Sequence, residues 1–197
     1  MTDAPAPLTP DDLLALLARH GVAQRTVVHE AVFTVAQSSA VERDLPGGHV
    51  KNLFLKDKKG AFFLVTAHAH ARIDLKRLHL AIGASGRVSF GSAEQLRALL
   101  GVEPGSVTPY AVVNDRERRV RFFIDRTLLA YDVLNAHPLV NTMTTAVSRE
   151  DLLRFLDAIG HPPQPIDLPV PEDDASTGHE AAGAEKPSGA PATATPS

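Results

Sequence analysis

The chain contains no cysteine among its 197 residues, and only 5% of it is aromatic. The missing thiols exclude disulfides, thiolate nucleophiles and zinc or iron–sulfur centres held by cysteine. The scarce aromatics, with Phe62, Phe63, Phe90, Phe122 and Phe123 reading as sheet core, argue against a base-stacking RNA platform. No apolar run approaches the roughly 20 residues of a membrane span. The N-terminal MTDAPAPLTPDD has neither a basic nor an apolar signal-peptide region. A cytoplasmic protein without membrane contact is therefore expected. There is no Gly-x-Ser-x-Gly elbow, so no acyl-enzyme signature is present.

A hydrophobic fraction of 44% is enough for a core. The net charge of −3 is uneven. Residues 163–197 hold six acids and one base, and removing that −5 leaves residues 1–162 at +2. Such a mild excess permits an RNA partner without requiring one. From Pro163 onward the composition is Pro, Ala, Gly, Ser, Thr and acids, too poor in large apolar groups to offset ordering entropy. The expected organisation is one domain over 1–162 and a disordered acidic tail over 163–197.

Four helices have readable ends. Thr9 caps the first, followed by Pro10 and stopped by Gly21. A second is expected over Asp74–Ile82. Ser92 caps the third, which Gly101 stops, and Ser148 caps the last, which ends at Gly160. Strands are expected at Thr26–His29, Lys51–Leu55, Ala61–Thr66, Arg87–Phe90, Thr108–Asn114, Val120–Asp125, Leu129–Leu134 and Asn141–Ala146. Hairpin-like connections without strict βαβ alternation favour an α+β fold with a mixed, largely antiparallel sheet.

Three segments could carry chemistry. In Gly47–Leu55 a Gly-Gly loop enters an apolar strand that begins with Lys51 and Asn52. Glycines let backbone approach a ligand, and Lys51 could meet a carbonyl or phosphate or simply reach solvent. The Gly101–Pro109 loop could turn successive N–H groups toward an anion or oxyanion, or it could be a plain connection. His137 lies in a Pro-fixed turn before the last strand, where a structural role is equally open. His68 and His70 would share a strand face, but no third ligand stands at a recognisable spacing, so no metal and no cofactor are expected. Arg116, Arg118, Arg119 and Arg121 form either a solvated face or a phosphate contact.

Taken in order, Lys51-Asn-Leu-Phe-Leu-Lys-Asp-Lys-Lys-Gly60, Gly105-Ser-Val-Thr-Pro109 and His137-Pro-x-x-Asn141-Thr142 resemble the prolyl-tRNA editing superfamily, also called the YbaK/ProX family. Within it the likeness is greatest to free-standing alanyl-tRNA(Pro) deacylases, and it runs from about Leu8 to Pro162. The resemblance implies an α+β editing fold and hydrolysis of an aminoacyl ester without metal or covalent intermediate. It places Lys51 as the essential lysine, with Gly105 and Pro109 bounding a loop whose amides face the scissile carbonyl. Ser106 is expected to help position the substrate, and Asn52 and His137 to lie at the pocket. Apolar groups near Phe33, Val35 and Leu53 are expected as pocket walls. Lys56, Lys58, Lys59, Arg116 and Arg118 are expected on a rim for the tRNA. The implied partner is the acceptor end of alanine-charged tRNA(Pro), with prolyl-tRNA synthetase as a second. The same scaffold could instead act on Cys-, Ser- or Thr-charged tRNA, or bind tRNA or synthetase without catalysis. The water-activating group is not identified at this level.

Overall fold

The computed structural model describes residues 6–31 and 43–172. Eight strands form one sheet: β1 (Gln24–Val28), β2 (Gly48–Lys56), β3 (Phe62–His68), β4 (Ser89–Phe90), β5 (Val120–Asp125), β6 (Val133–Ala136), β7 (Met143–Ser148) and β8 (Gln164–Ile166). Their order is β1-β7-β6-β2-β3-β5-β8, with β4 also on β2. The β1–β7, β2–β3, β2–β4 and β6–β7 pairs are antiparallel; β2–β6, β3–β5 and β5–β8 are parallel. The fold is α+β with a mixed sheet, antiparallel pairs being the majority.

Side chains alternate across the sheet. The first face carries Phe54, Leu64, Phe122, Ile124 and Leu134. Against it pack α1 (Pro10–Arg19), α3 (Ala93–Leu100) and α4 (Arg149–Ala158), through residues such as Leu17, Leu100 and Phe155. Their N-termini are closed by Thr9, Ser92 and Ser148, each side chain accepting from the backbone three residues on. The second face carries Leu55, Phe63, Val65 and Phe123. It packs on Leu78 and Ile82, in and just after the short α2 (Leu78–Ala81), and on Ile166.

Several boundaries differ from expectation. Only Leu78–Ala81 of Asp74–Ile82 is α-helix; Asp74 instead anchors a turn, its carbonyl accepting from Leu78 N at 2.9 Å. Thr108–Asn114 is not a strand. Pro109–Asn114 winds into a 3-10 helix, with Thr108 as its cap. Leu129–Leu134 divides into the end of a second 3-10 helix, Arg126–Ala130, and the start of β6. Residues 164–168, expected outside the domain, are part of the fold. β8 extends the sheet beside β5, and Ile166 is buried with Leu168 packed on the same cluster.

The polar turn after β2 is organised by one carboxylate. Asp57 Oδ1 accepts from Lys59 N (2.9 Å) and Ala61 N (3.0 Å), and Oδ2 from Ser85 N (3.0 Å) and Ser85 Oγ (2.6 Å). These donors hold its pKa far below the usual carboxylate range. A depressed folded-state pKa gives stability that is present above the unfolded value, about 3.9, and is lost as pH falls below it. Asp57→Asn is therefore expected to melt at a lower temperature at neutral pH. Its melting temperature should also fall less than the wild type's between about pH 5 and pH 2, as thermal melts followed by circular dichroism would record.

Candidate functional site

Lys51 and Asn52 are neighbours on β2, so the period of two sends them to opposite faces. Asn52 faces the first. Its Nδ2 donates to the Val107 carbonyl at 3.0 Å, and its Oδ1 accepts from Thr66 Oγ at 2.6 Å. It thereby fastens the Gly101–Pro109 loop to the sheet. In that loop Gly105 has φ of +90°, a conformation natural to glycine. Ser106 is buried, and its N–H donates to Glu103 O at 2.9 Å. The N–H groups of Gly105 and Val107 find no acceptor among the described residues. They remain for a ligand or water.

Lys51 faces the second side, half-buried, and its ammonium donates to the Ala71 carbonyl. Burial pushes that ammonium below the usual lysine range, and the Asp125 carboxylate counters the shift. Leu53 lies on the same face and packs on the second cluster. Phe33 and Val35 lie outside the described residues.

The β2 ladder explains how the two faces meet. On one flank β2 pairs with β6 only at Gly48 and His49, and with β4 only at Leu55 and Lys56. Between them, around Lys51–Leu53, that flank has no strand partner among the described residues. The Asn52-bound loop stands on one side of this gap and Lys51 on the other.

Gly47 and Gly48 serve β6 rather than a ligand. A Cβ at Gly47 would lie 2.6 Å from Val133 O, and one at Gly48 2.9 Å from the Tyr131 ring. Three histidines lie near one another, one of them two residues before Lys51 on β2. His49 shares its strand face and donates from Nε2 to Leu45 O at 2.7 Å. His137, just past β6, donates from Nδ1 to Met143 O at 2.8 Å, which leaves Nε2 with its lone pair when the ring is neutral. Burial keeps that ring's pKa below the usual histidine value, with the His29 and His49 charges adding to the effect. The His29 ring lies 6.2 Å from His137 and accepts from Thr144 Oγ at 2.8 Å. No three side chains are arranged to hold a metal among the described residues.

A cleft of about 880 Å³ opens at the C-terminal ends of β3 and β5, lined in part by Ala71, Asp125, Thr127, Tyr131 and Leu168. His68 stacks on Tyr131 there, with ring centroids 5.4 Å apart. The basic residues group elsewhere. Lys56, Lys58 and Lys59 lie at the turn into β3, and Arg116 and Arg118 in the turn into β5. Because β3 and β5 are parallel, both turns fall at one end of the sheet. Five residues of strand put that end roughly 17 Å from Lys51. Arg118 also packs against Gly160.

The sequence alone does not single out Asp125, Thr66, Ala71, His49 or His29. His49 was within reach, since two residues along a strand share a face. Asp125 requires the non-local β3–β5 pairing.

Residues 29–155 match the model of the aminoacyl-tRNA editing domain. The prolyl-tRNA editing protein ProX of Acetoanaerobium sticklandii is 34% identical over 143 residues, 72% of this chain and 87% of that protein. Prolyl-tRNA synthetase associated domain-containing protein 1 of Danio rerio is 35% identical over 154 residues, 77% and 83% of the two chains. A crystal structure described as a candidate trans-editing enzyme for prolyl tRNA synthetase superposes with a TM-score of 0.61 at 23% identity, covering 82% of this chain and 98% of that one, a likeness of fold. The matched span holds the strand of Lys51, the loop that Asn52 fastens and the turn of His137. The chain belongs to the aminoacyl-tRNA editing domain family, within the prolyl-tRNA editing superfamily.

Proposed function

We propose that this aminoacyl-tRNA deacylase removes alanine from mischarged tRNA(Pro) by direct hydrolysis of the ester. The observation that carries the reading is the gap in the β2 ladder, with the loop fastened by Asn52, where the Gly105 and Val107 N–H groups are among those without an acceptor among the described residues, on one side and a half-buried ammonium on the other. A small aminoacyl ester placed there would have its carbonyl oxygen toward the Gly105 and Val107 amides. Charge developing on that oxygen as water attacks would be stabilised by preorganised donors. Lys51 would hold the substrate by charge or hydrogen bonding, and Ser106 and Pro109 fix the loop. His137, neutral, offers Nε2 as an acceptor to the substrate's ammonium or ribose hydroxyl. The ester C–O bond breaks, the ribose oxygen takes a proton, and alanine and uncharged tRNA leave. An activated ester asks mainly for positioning, which agrees with the absence of a nucleophile elbow.

Discrimination would rest on size. A synthetase pocket built for proline gains only about 1–3 kcal/mol per methylene against alanine, so a second and smaller pocket is needed. Leu53, with Phe33 and Val35, is proposed to wall it. The acceptor stem would lie toward Lys56, Lys58, Lys59, Arg116 and Arg118, where phosphate charge meets a basic rim. The setting proposed is the cytoplasm, beside prolyl-tRNA synthetase.

The test is ester loss from alanyl-, prolyl-, cysteinyl-, seryl- and threonyl-tRNA incubated with the purified chain. Rapid loss from alanyl-tRNA(Pro) with prolyl-tRNA(Pro) spared is the expected result. Preference for another charged tRNA would move the specificity, and tRNA binding without turnover would leave a binding module.

A further inference from the structure

A row of three residues crosses the second face of the sheet. Lys51 of β2 is paired with Ala67 of β3. One step beyond the Thr66–Ile124 pair, the β3–β5 ladder sets Ala67 beside Asp125. Facing residues of a ladder point to the same side, so the row reads Lys51, Ala67, Asp125. Strand spacings of roughly 4.8 Å place the outer two about 10 Å apart at their Cα atoms. A lysine stem can cover much of that span, and Ala67, fully buried, leaves the path open with a single methyl. Both ends of the row meet one cleft, since Asp125 lines it and so does Ala71, whose carbonyl receives the Lys51 ammonium.

Asp125 is 2% exposed. Its oxygens accept from Thr127 N (3.0 Å) and Thr127 Oγ (2.7 Å), and it enters no ion pair among the described residues. A carboxylate kept from water is costly unless a positive charge is near. Lys51 is the cation on its row. The other acid of the cleft, Asp167, is taken by Arg126 at 3.0 Å. Arg72, His68 and His70, which line the same cleft, and His49, on the same strand face, carry no negative charge and supply no counter-charge to the lysine.

We propose that Asp125 is a positioning residue for Lys51, drawing its ammonium across Ala67 and holding it on the cleft side of the sheet. This rests on Lys51 as the group that holds the substrate. Asp125 itself need not touch the ester. The same carboxylate opposes the downward shift that burial imposes on the lysine.

Asp125→Asn keeps the shape and an acceptor for Thr127, and Ala67→Val keeps both charges while filling the space between them. The first readout needs no substrate: the pH dependence of Lys51 acylation by dilute acetic anhydride, followed by mass spectrometry of the folded protein. Its midpoint is expected to fall by about half a unit or more in both variants. If Asp125→Asn loses its fold, Ala67→Val carries this test. An unchanged midpoint in the folded variants overturns the proposal. The second readout is alanyl-tRNA(Pro) hydrolysis. Asp125→Asn should lower kcat roughly 10-fold with little change in KM, and should have no further effect in a Lys51→Ala background, because residues acting as a unit are not additive. An equal loss in both backgrounds also overturns it. A wild type inactive on every charged tRNA would remove the editing assignment and leave the labelling result to decide this one.

Discussion

Lys51→Ala is expected to lose at least about 100-fold in kcat for alanyl-tRNA(Pro), the scale seen when one preorganised electrostatic group is removed from an acyl-transfer site. The loss should fall on kcat and kcat/KM alike if the ammonium acts mainly as charge develops, and on KM if it serves only to hold the ground state. Stability should fall far less than activity, the cost being the loss of the cation nearest the buried Asp125. The side chain is half-buried and makes one hydrogen bond, to the Ala71 carbonyl on the wall of an open cleft, where water can replace it. That separation of activity from folding makes the variant informative. Lys51→Arg is not expected to restore the rate, because a planar guanidinium presents its donors in a different geometry from a compact ammonium. Single-turnover hydrolysis with matched thermal melts would measure both effects. A Lys51→Ala protein with wild-type turnover would remove the lysine from the site.

Two truncations should behave very differently. Ending the chain after Glu172 is expected to leave unfolding unchanged. Ending it after Pro162 removes β8, uncovers the flank of β5 and takes Ile166 and Leu168 from the second cluster. Burying one large aliphatic side chain contributes about 1.5–3 kcal/mol. The shorter chain is thus expected to be less stable by roughly 3 kcal/mol or more, a large share of a domain's 5–15. Urea unfolding of the two proteins measures the difference. Equal midpoints would mean that residues 163–172 add nothing to the fold.

Local signals carried much of this architecture. The caps at Thr9, Ser92 and Ser148 and the β2–β3 hairpin around Asp57–Gly60 depend on residues close in sequence, and they formed where such residues predict. The segment Tyr110–Val113 misled because a continuous apolar run fits a buried strand and a buried turn equally well. There Pro109 and the Thr108 cap decide the outcome. β8 was hidden for the opposite reason. Its composition is polar and proline-rich, its single buried side chain, Ile166, makes no periodic pattern, and its pairing partner is a distant strand. Within the candidate site, the motif residues could be named from the chain, but their grouping could not. That Asn52 holds the loop while Lys51 looks the other way follows only once β3 flanks β2. That Asp125 lies in line with Lys51 depends on a parallel pairing across more than fifty residues of chain.

The sheet order also sets a schedule for synthesis. β1 is the first strand made, yet its neighbour is β7, with Gln24 against Val147. At a translation rate of about 5–20 residues per second, roughly 6–25 s pass between the two. Throughout that interval β1 has no ladder to join, and the β5–β8 edge closes later still. The nascent chain must therefore keep apolar strands apart from other chains until nearly the whole domain has emerged, and the sheet is completed only once its last strands are available.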